Sequence, residues 1–204
     1  MAKKFYAVRK GKKTGIFLTW DACKKQVDGF SGAEYKSFPS KEEAENYLGN
    51  GVSEKEKEEF VKTVRKGDGV IAYVDGSYDK CTNRFAYGLV IVTDEGELTF
   101  GEEVKDEELA QMHNVAGEIK GSEAAMRYAL EKGAKKLVIY HDYEGIAKWC
   151  TGAWKANKPG TKAYKAFYDE ISREIEIQFV KVKGHSNDKY NDMADMLAKR
   201  AIGL

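Results

Sequence analysis

Apolar and polar positions along this chain change their spacing near residue 70. From there on, short apolar runs rich in Val, Ile and Tyr alternate with stretches in which apolar residues recur every three or four positions. The first run, Val70-Ile71-Ala72-Tyr73-Val74, has the density of a buried strand; it ends in Asp75 and breaks at Gly76. Runs at 85–92 and 97–101, joined by the turn Asp94-Glu95-Gly96, predict a hairpin. The pattern then predicts a helix around 117–132, a strand over 136–141, helices near 143–150 and 161–174, a strand over 175–182 and a helix over 187–200. The order βββαβαβα predicts an α/β fold with a mixed five-stranded sheet and flanking helices.

The first 48 residues carry a smaller pattern. Short strands are predicted at 5–9, 16–19 and 35–38, with one helix capped by Asp21 and a second capped by Ser40, three residues ahead of Glu43. This is a ββαβα unit of small core. Residues 49–69 have glycines at both ends, charged residues between, and a weak helical stripe of Phe60, Val61 and Val64. The chain therefore divides into a small domain over 1–48, a charged linker over 49–69 and a larger domain over 70–204.

Charge sharpens this division. The net charge of +1 over 204 residues conceals ten Lys/Arg against six Asp/Glu in residues 1–48, and 19 against 22 in residues 70–204. A basic head suits a polyanion, while the acidic body gathers carboxylates for something else. The three cysteines, Cys23, Cys81 and Cys150, are too scattered for a metal cluster. With neither an export signal nor a run of membrane-spanning length, the expectation is a monomeric, cytosolic protein with reduced thiols and no membrane contact.

The carboxylates are where the chemistry lies. A buried strand ending in an unpaired aspartate is costly unless something compensates the charge. Asp142 ends a second strand, and parallel neighbours would bring it to the same sheet edge as Asp75. Glu118 falls in the first turn of a predicted helix, and Asp195 on the last helix one turn after Asn191. Clustered carboxylates repel unless neutralised, and hard divalent ions with oxygen ligands neutralise them. Taken singly, each acid has an ordinary explanation: Asp75 and Asp142 as turn residues, Glu118 as a first-turn acid, Asp195 as a solvated helix face. In the small domain, Tyr6, Trp20 and Tyr35 are interleaved with Lys12, Lys13, Lys25 and Lys36, a composition that suits base stacking and phosphate contact. Tyr6 and Trp20 fit a small core equally well.

Phe5-Tyr6-Ala7-Val8-Arg9-Lys10-Gly11, Thr14-Gly15-Ile16-Phe17, Thr19-Trp20, Gln26-Val27 and Phe30-Ser31-Gly32-Ala33 resemble the hybrid-binding domain at the N-terminus of type 1 ribonucleases H. Tyr73-Val74-Asp75-Gly76-Ser77, Asn114 to Glu118, Tyr140-His141-Asp142, Lys183-Gly184-His185-Ser186 and Asn191 to Asp195 resemble the ribonuclease H catalytic domain. The resemblance implies a ribonuclease H fold and an endonuclease that cuts RNA in RNA/DNA hybrids. It implies two Mg²⁺ ions, with Mn²⁺ as a substitute, and products bearing 5′-phosphate and 3′-hydroxyl ends. Asp75, Glu118, Asp142 and Asp195 would be the metal-binding catalytic acids, and His185 a loop residue that aids product release or shuttles a proton. Gly76-Ser77 would let the backbone approach the scissile strand. Asn114 would touch the RNA strand, and Asn157, beside Trp154, Lys155 and Lys158, a phosphate. Tyr6, Trp20 and Tyr35 would contact the DNA strand, with Lys12, Lys13 and Lys36 on phosphates. The head would bind RNA/DNA hybrid and double-stranded RNA. Tyr143-Glu144 stands where many relatives have Ser-Gln. A catalytically dead tether and a proofreading exonuclease are the competing readings; the former would lack a carboxylate, and the latter pairs its first acid with another two residues later.

Overall fold

Ala7 and Val8 are neighbours on one strand and both are fully buried, because the small N-terminal sheet is covered on each face. The computed structural model describes residues 4–48, 54–65, 67, 69–93, 96–182 and 188–204, which divide into two units. In the first, β1 (Phe5–Lys10) lies between β2 (Gly15–Phe17) and β3 (Glu34–Phe38), antiparallel to both. Val8 packs with Cys23 and Val27 of α1 (Trp20–Val27), and Ala7 with Phe38 and with Ala44 of α2 (Lys41–Leu48). The cap of α1 differs from the predicted one. Thr19 Oγ1 accepts from the Ala22 amide at 3.3 Å, so the helix starts at Trp20 and Asp21 becomes a first-turn acid. Ser40 caps α2 as predicted, accepting from the Glu43 amide at 3.1 Å.

The stretch expected as a linker is helical as α3 (Glu54–Arg65), and the second unit begins within it, at Glu58. Its sheet has the order β6-β5-β4-β7-β8: β4 (Val70–Asp79), β5 (Arg84–Thr93), β6 (Gly96–Val104), β7 (Lys136–His141) and β8 (Glu176–Lys181). The three sequence-consecutive strands pair antiparallel, and β4, β7 and β8 run parallel. The predicted five-stranded mixed sheet is present, with helices on both faces. Val70, Ala72 and Val74 face a core built with Ile119 and Met126 of α5 (Asn114–Glu131), Ile146 of α6 (Gly145–Cys150) and Tyr164 of α7 (Pro159–Ile171). Ile71 and Tyr73 face the other way, with Val90, Val138, Tyr140 and Ala194 of α8 (Lys189–Ala201). Cover on both faces is why β4 reads as an unbroken apolar run. The remaining element, α4 (Glu107–Ala110), is a single turn capped by Asp106 that the periodicity did not predict. No helix among the described residues is long and apolar enough to cross a membrane.

Two boundaries near the acids differ from expectation. β4 does not stop at Asp75; it continues to Asp79, with Asp75 opposite Gly88 and Asp79 opposite Arg84 on β5. Its parallel pairing with β7 ends at Tyr73 opposite Tyr140, so Asp75 sits where two neighbouring strands part, not at a turn. α5 begins at Asn114, which moves Glu118 from the first turn to the second.

The back-face cluster includes Val64, with Phe60 and Val61 packed against it. A protein starting at residue 58 is therefore expected to melt several degrees above one starting at residue 70, since removing those apolar contacts costs about 2–3 kcal/mol. Equal melting temperatures by circular dichroism would show α3 to be unconnected with the stability of this unit.

Candidate active site

Asp75, Glu118 and Asp195 each stand next to a small residue at a point where a helix meets the sheet. Gly76, after Asp75, lies against Gly117, before Glu118: a Cβ on Gly76 would overlap the Asn114 carbonyl oxygen and come within 2.6 Å of the Glu118 amide nitrogen. Ala194, before Asp195, lies against Gly88, the β5 partner of Asp75. The missing side chains let α5 and α8 approach the strand backbones closely, carrying their acids with them. Gly76 is buried against α5, so it serves helix packing, where the sequence suggested close approach of the scissile strand.

Among the described residues, Asp75, Glu118 and Asp142 offer carboxylate oxygens that all lie within 4.8 Å of one another. Their elements are a strand, a helix and the loop after β7, so nothing local draws them together. Two backbone amides donate to them, Gly76 to Asp75 Oδ1 at 2.7 Å and Tyr143 to Glu118 Oε2 at 3.2 Å, and the Glu118 and Asp142 side chains also share a hydrogen bond. Burial, reinforced by the Asp142 charge, pushes the Asp75 carboxyl up to about 7 despite the Gly76 amide. Burial with the charges of Asp142 and Asp75 pushes Glu118 up to about 9. Asp195 is outside this trio but close enough for its charge to raise Asp75 further. Its Oδ2 is 2.7 Å from Lys199 Nζ on the same helix. Three crowded oxygen-donor groups fit a hard divalent cation, which supplies the charge they lack.

Both shifts are upward. Between the ordinary carboxylate range and the raised values, the folded protein therefore binds more protons than the unfolded chain, and this contribution to stability is lost as pH rises. In chelator, the melting temperature is expected to be lower at pH 9 than at pH 6, with a smaller difference in Asp75→Asn. Added divalent cation should recover more stability at pH 9. A pH-independent difference between wild type and variant would show that the acids are not crowded in solution.

Other predicted residues are placed less closely. Asn114 is exposed as the first residue of α5, and Asn157 is exposed ahead of α7. His185 lies outside the described residues. In the N-terminal unit, Trp20 sits between Tyr6 and Tyr35, with ring centroids 5.8 Å from each. Trp20 and Tyr35 are 42% and 44% exposed, so they form a surface and not a core. Lys12 and Lys13 are exposed in the β1–β2 turn. Lys36 is not on the aromatic face: its Nζ lies 5.3 Å from the Phe38 ring centroid, on the α2 side of the sheet. The alternation of a strand carries that information, since adjacent Tyr35 and Lys36 must point to opposite faces.

Three further residues, His113 before α5 and His141 and Glu144 on either side of Asp142, have settings that the sequence did not predict. His113 precedes Asn114 with φ 57° and ψ −135°, a region rarely occupied by a residue with a side chain, and its ring stacks on Tyr78 at 4.5 Å. Local sequence gives no signal for this. Glu144 is ion-paired to Lys148 and, at 3.0 Å, to Lys181, and hydrogen bonds from both hold its carboxyl down to about 2. His141 is buried, which pushes its imidazole down to about 4.

Comparison with known proteins places this geometry. The family model described as RNase H matches residues 67–203, and the one described as Ribonuclease H1 N-terminal domain matches residues 4–48. The chain belongs to the ribonuclease H family. Ribonuclease H1 of Homo sapiens is 28% identical over 256 residues, spanning 96% of this chain and 88% of the human protein. Ribonuclease H of Saccharomyces cerevisiae is 62% identical over 45 residues, 22% of this chain and 13% of the yeast protein. The RNase H1 structure from Halobacterium salinarum NRC-1 aligns with TM-score 0.54 and 25% identity over 65% of this chain and 96% of that one. LC11-RNase H1 in complex with RNA/DNA hybrid shares the fold, with TM-score 0.52 and 18% identity over 65% of this chain and 99% of that one. Ribonucleases H1 are metal-dependent enzymes that hydrolyse the RNA of RNA/DNA hybrids, and the acidic trio is in keeping with that dependence.

Proposed function

We propose that this protein is an endonuclease that cuts the RNA strand of RNA/DNA hybrids at the Asp75–Glu118–Asp142 cluster, leaving 5′-phosphate and 3′-hydroxyl ends. The observation that carries this reading is the convergence of three carboxylates within 4.8 Å from three separate elements of a ribonuclease H domain. Asp75, Glu118 and Asp142, with Asp195 alongside, would hold Mg²⁺ or Mn²⁺, their oxygens being the hard ligands such ions prefer. A pair of such ions supplies an activated water and stabilises the leaving oxygen of a phosphodiester. The protein's part is to hold the acids rigid and close together, the Gly76 amide fixing Asp75 and the Tyr143 amide fixing Glu118, while a bound cation would favour their ionised forms. Asn114, exposed at the start of α5 one turn before Glu118, would meet the RNA strand, whose 2′-hydroxyls distinguish it from DNA. His185 completes the reading as the residue that aids product departure.

In the N-terminal unit, the row of half-buried Tyr6 and exposed Trp20 and Tyr35 would stack on the hybrid or on double-stranded RNA, with Lys12 and Lys13 on phosphates. Trp20→Ala is expected to raise KM about tenfold with kcat little changed, the loss of one stacked contact being worth about 1–3 kcal/mol. Removing residues 1–48 should raise KM and lower processivity, and an unchanged KM would separate the head from substrate grip. The same reading makes the protein monomeric and cytosolic, in keeping with its separate free thiols Cys23, Cys81 and Cys150.

A circular RNA annealed to complementary DNA, labelled internally and incubated with Mg²⁺, tests the central claim. Linear fragments with 5′-phosphates are expected, with the DNA intact, single-stranded RNA uncut and chelator abolishing the reaction. No cleavage would favour a nucleic-acid tether. Cleavage only when the RNA has a free end would favour an exonuclease.

A further inference from the structure

His141 ends β7 immediately before Asp142, and it is 1% exposed. Its Nδ1 lies 2.9 Å from the carbonyl oxygen of Tyr143. A carbonyl only accepts, so Nδ1 carries the proton and donates. The other ring nitrogen, Nε2, is buried without a hydrogen-bond partner, and one ring edge meets the face of Phe179 at 5.9 Å and 79°. An apolar side chain would fill this space without leaving a buried nitrogen unsatisfied, which is destabilising. The imidazole is therefore explained by its single hydrogen bond. That bond has a particular target. Tyr143 donates its own amide to Glu118 Oε2 at 3.2 Å, so the peptide units on both sides of the Tyr143 Cα are pinned, one by His141 and the other by a carboxylate of the trio. Asp142 lies between the two anchors.

We propose that His141 is a positioning residue of the metal site: its Nδ1–H locks the turn at Tyr143, and that turn sets the spacing of the Asp142 and Glu118 carboxylates. The proposal rests on the reading of the trio as a metal site. It acts through geometry alone, since His141 itself offers no atom to the metal or the substrate.

Three substitutions separate the possibilities. Asn at this position places its Nδ2 donor near the site of Nδ1, Gln places a donor near the site of Nε2, and Leu keeps the bulk with no donor. Mg²⁺ binding to the full-length protein would be measured by calorimetry, alongside the Mg²⁺ dependence of hybrid cleavage and hydrogen exchange at the Tyr143 amide. His141→Leu is expected to keep or raise the melting temperature while weakening Mg²⁺ binding about 10–100-fold, the usual range when a group supporting a metal ligand is lost. The same variant should lower kcat at fixed Mg²⁺ more than it changes KM for the hybrid, and speed exchange at Tyr143. His141→Asn should recover most of the affinity and His141→Gln should not. Wild-type Mg²⁺ affinity in His141→Leu, or rescue by Gln in place of Asn, would overturn the proposal and leave the functional reading standing. Wild-type protein that binds no Mg²⁺ would overturn both.

Discussion

Asp75→Asn is expected to lose hydrolysis of the RNA strand by at least about 10³-fold, roughly 4 kcal/mol of transition-state stabilisation. Asp75 lies at the parting of β4 and β7, with its carboxyl 2.7 Å from the Gly76 amide and close to those of Glu118 and Asp142. Asparagine retains the carbonyl oxygen that accepts from Gly76, so the strand is undisturbed. What it removes is a negative charge held among others in a buried place. The melting temperature in chelator should therefore stay level or rise, because the cost of burying a charge beside other acids, which raises the Asp75 carboxyl to about 7, is relieved. Inactivity together with undiminished stability is the diagnostic pair, read by hybrid cleavage and thermal unfolding on the same preparation. Asp142→Asn should behave likewise. Cleavage within a few-fold of wild type by either variant would sink the assignment of the trio as the catalytic centre.

Gly76→Ala is expected to act by the opposite route, through the frame. The added methyl group would meet backbone atoms of α5 on three sides, including the Glu118 amide at 2.6 Å. Backbone has no rotamer with which to yield, so either α5 moves away or β4 bends. Overpacking of this kind costs about 3 kcal/mol, a fall of roughly 6–12 °C in melting temperature. Displacing α5 also carries Glu118 out of reach of Asp75 and Asp142, so activity should fall even where the protein remains folded. Wild-type melting temperature and activity in Gly76→Ala would show that the strand and the helix are not seated on each other as described.

The two effects bear on what could be read from the amino acids. The two central strands were legible because cover on both faces makes residues 70–74 of β4 and 137–140 of β7 apolar without a break, and such runs are hard to mistake. The acids were legible only in company. Glu118 has no local signal, and its helix starts three residues before the predicted boundary, at a residue whose predecessor, His113, makes no side-chain cap. The course of β4 past Asp75 was hidden by Gly76, which reads as a turn residue but serves as a contact point for Gly117. The docking of α3 was hidden by its charge: Phe60, Val61 and Val64 are a narrow stripe, and only the cluster they join, with Ile71, Tyr73, Val138 and Tyr140, reveals why it suffices. The carbonyl that His141 holds, two residues along the chain, exists only once the loop has its shape. Pattern finds the elements; partners brought together by folding decide what they do.

Tyr73 and Tyr140 are register partners on parallel strands, stacked at 4.3 Å with planes 5° apart. Each stands two residues before an acid of the trio, Tyr73 before Asp75 and Tyr140 before Asp142. A slip of one residue between β4 and β7 would send one ring to the opposite face and one carboxylate with it. A slip of two would put one ring beside an aliphatic residue and the other beside an aspartate, and set the acids a strand repeat apart. The stacked pair thus works as a keyway: the aromatic faces close flush only in the alignment that also brings the two aspartates level, and the strands are indexed before any ion arrives.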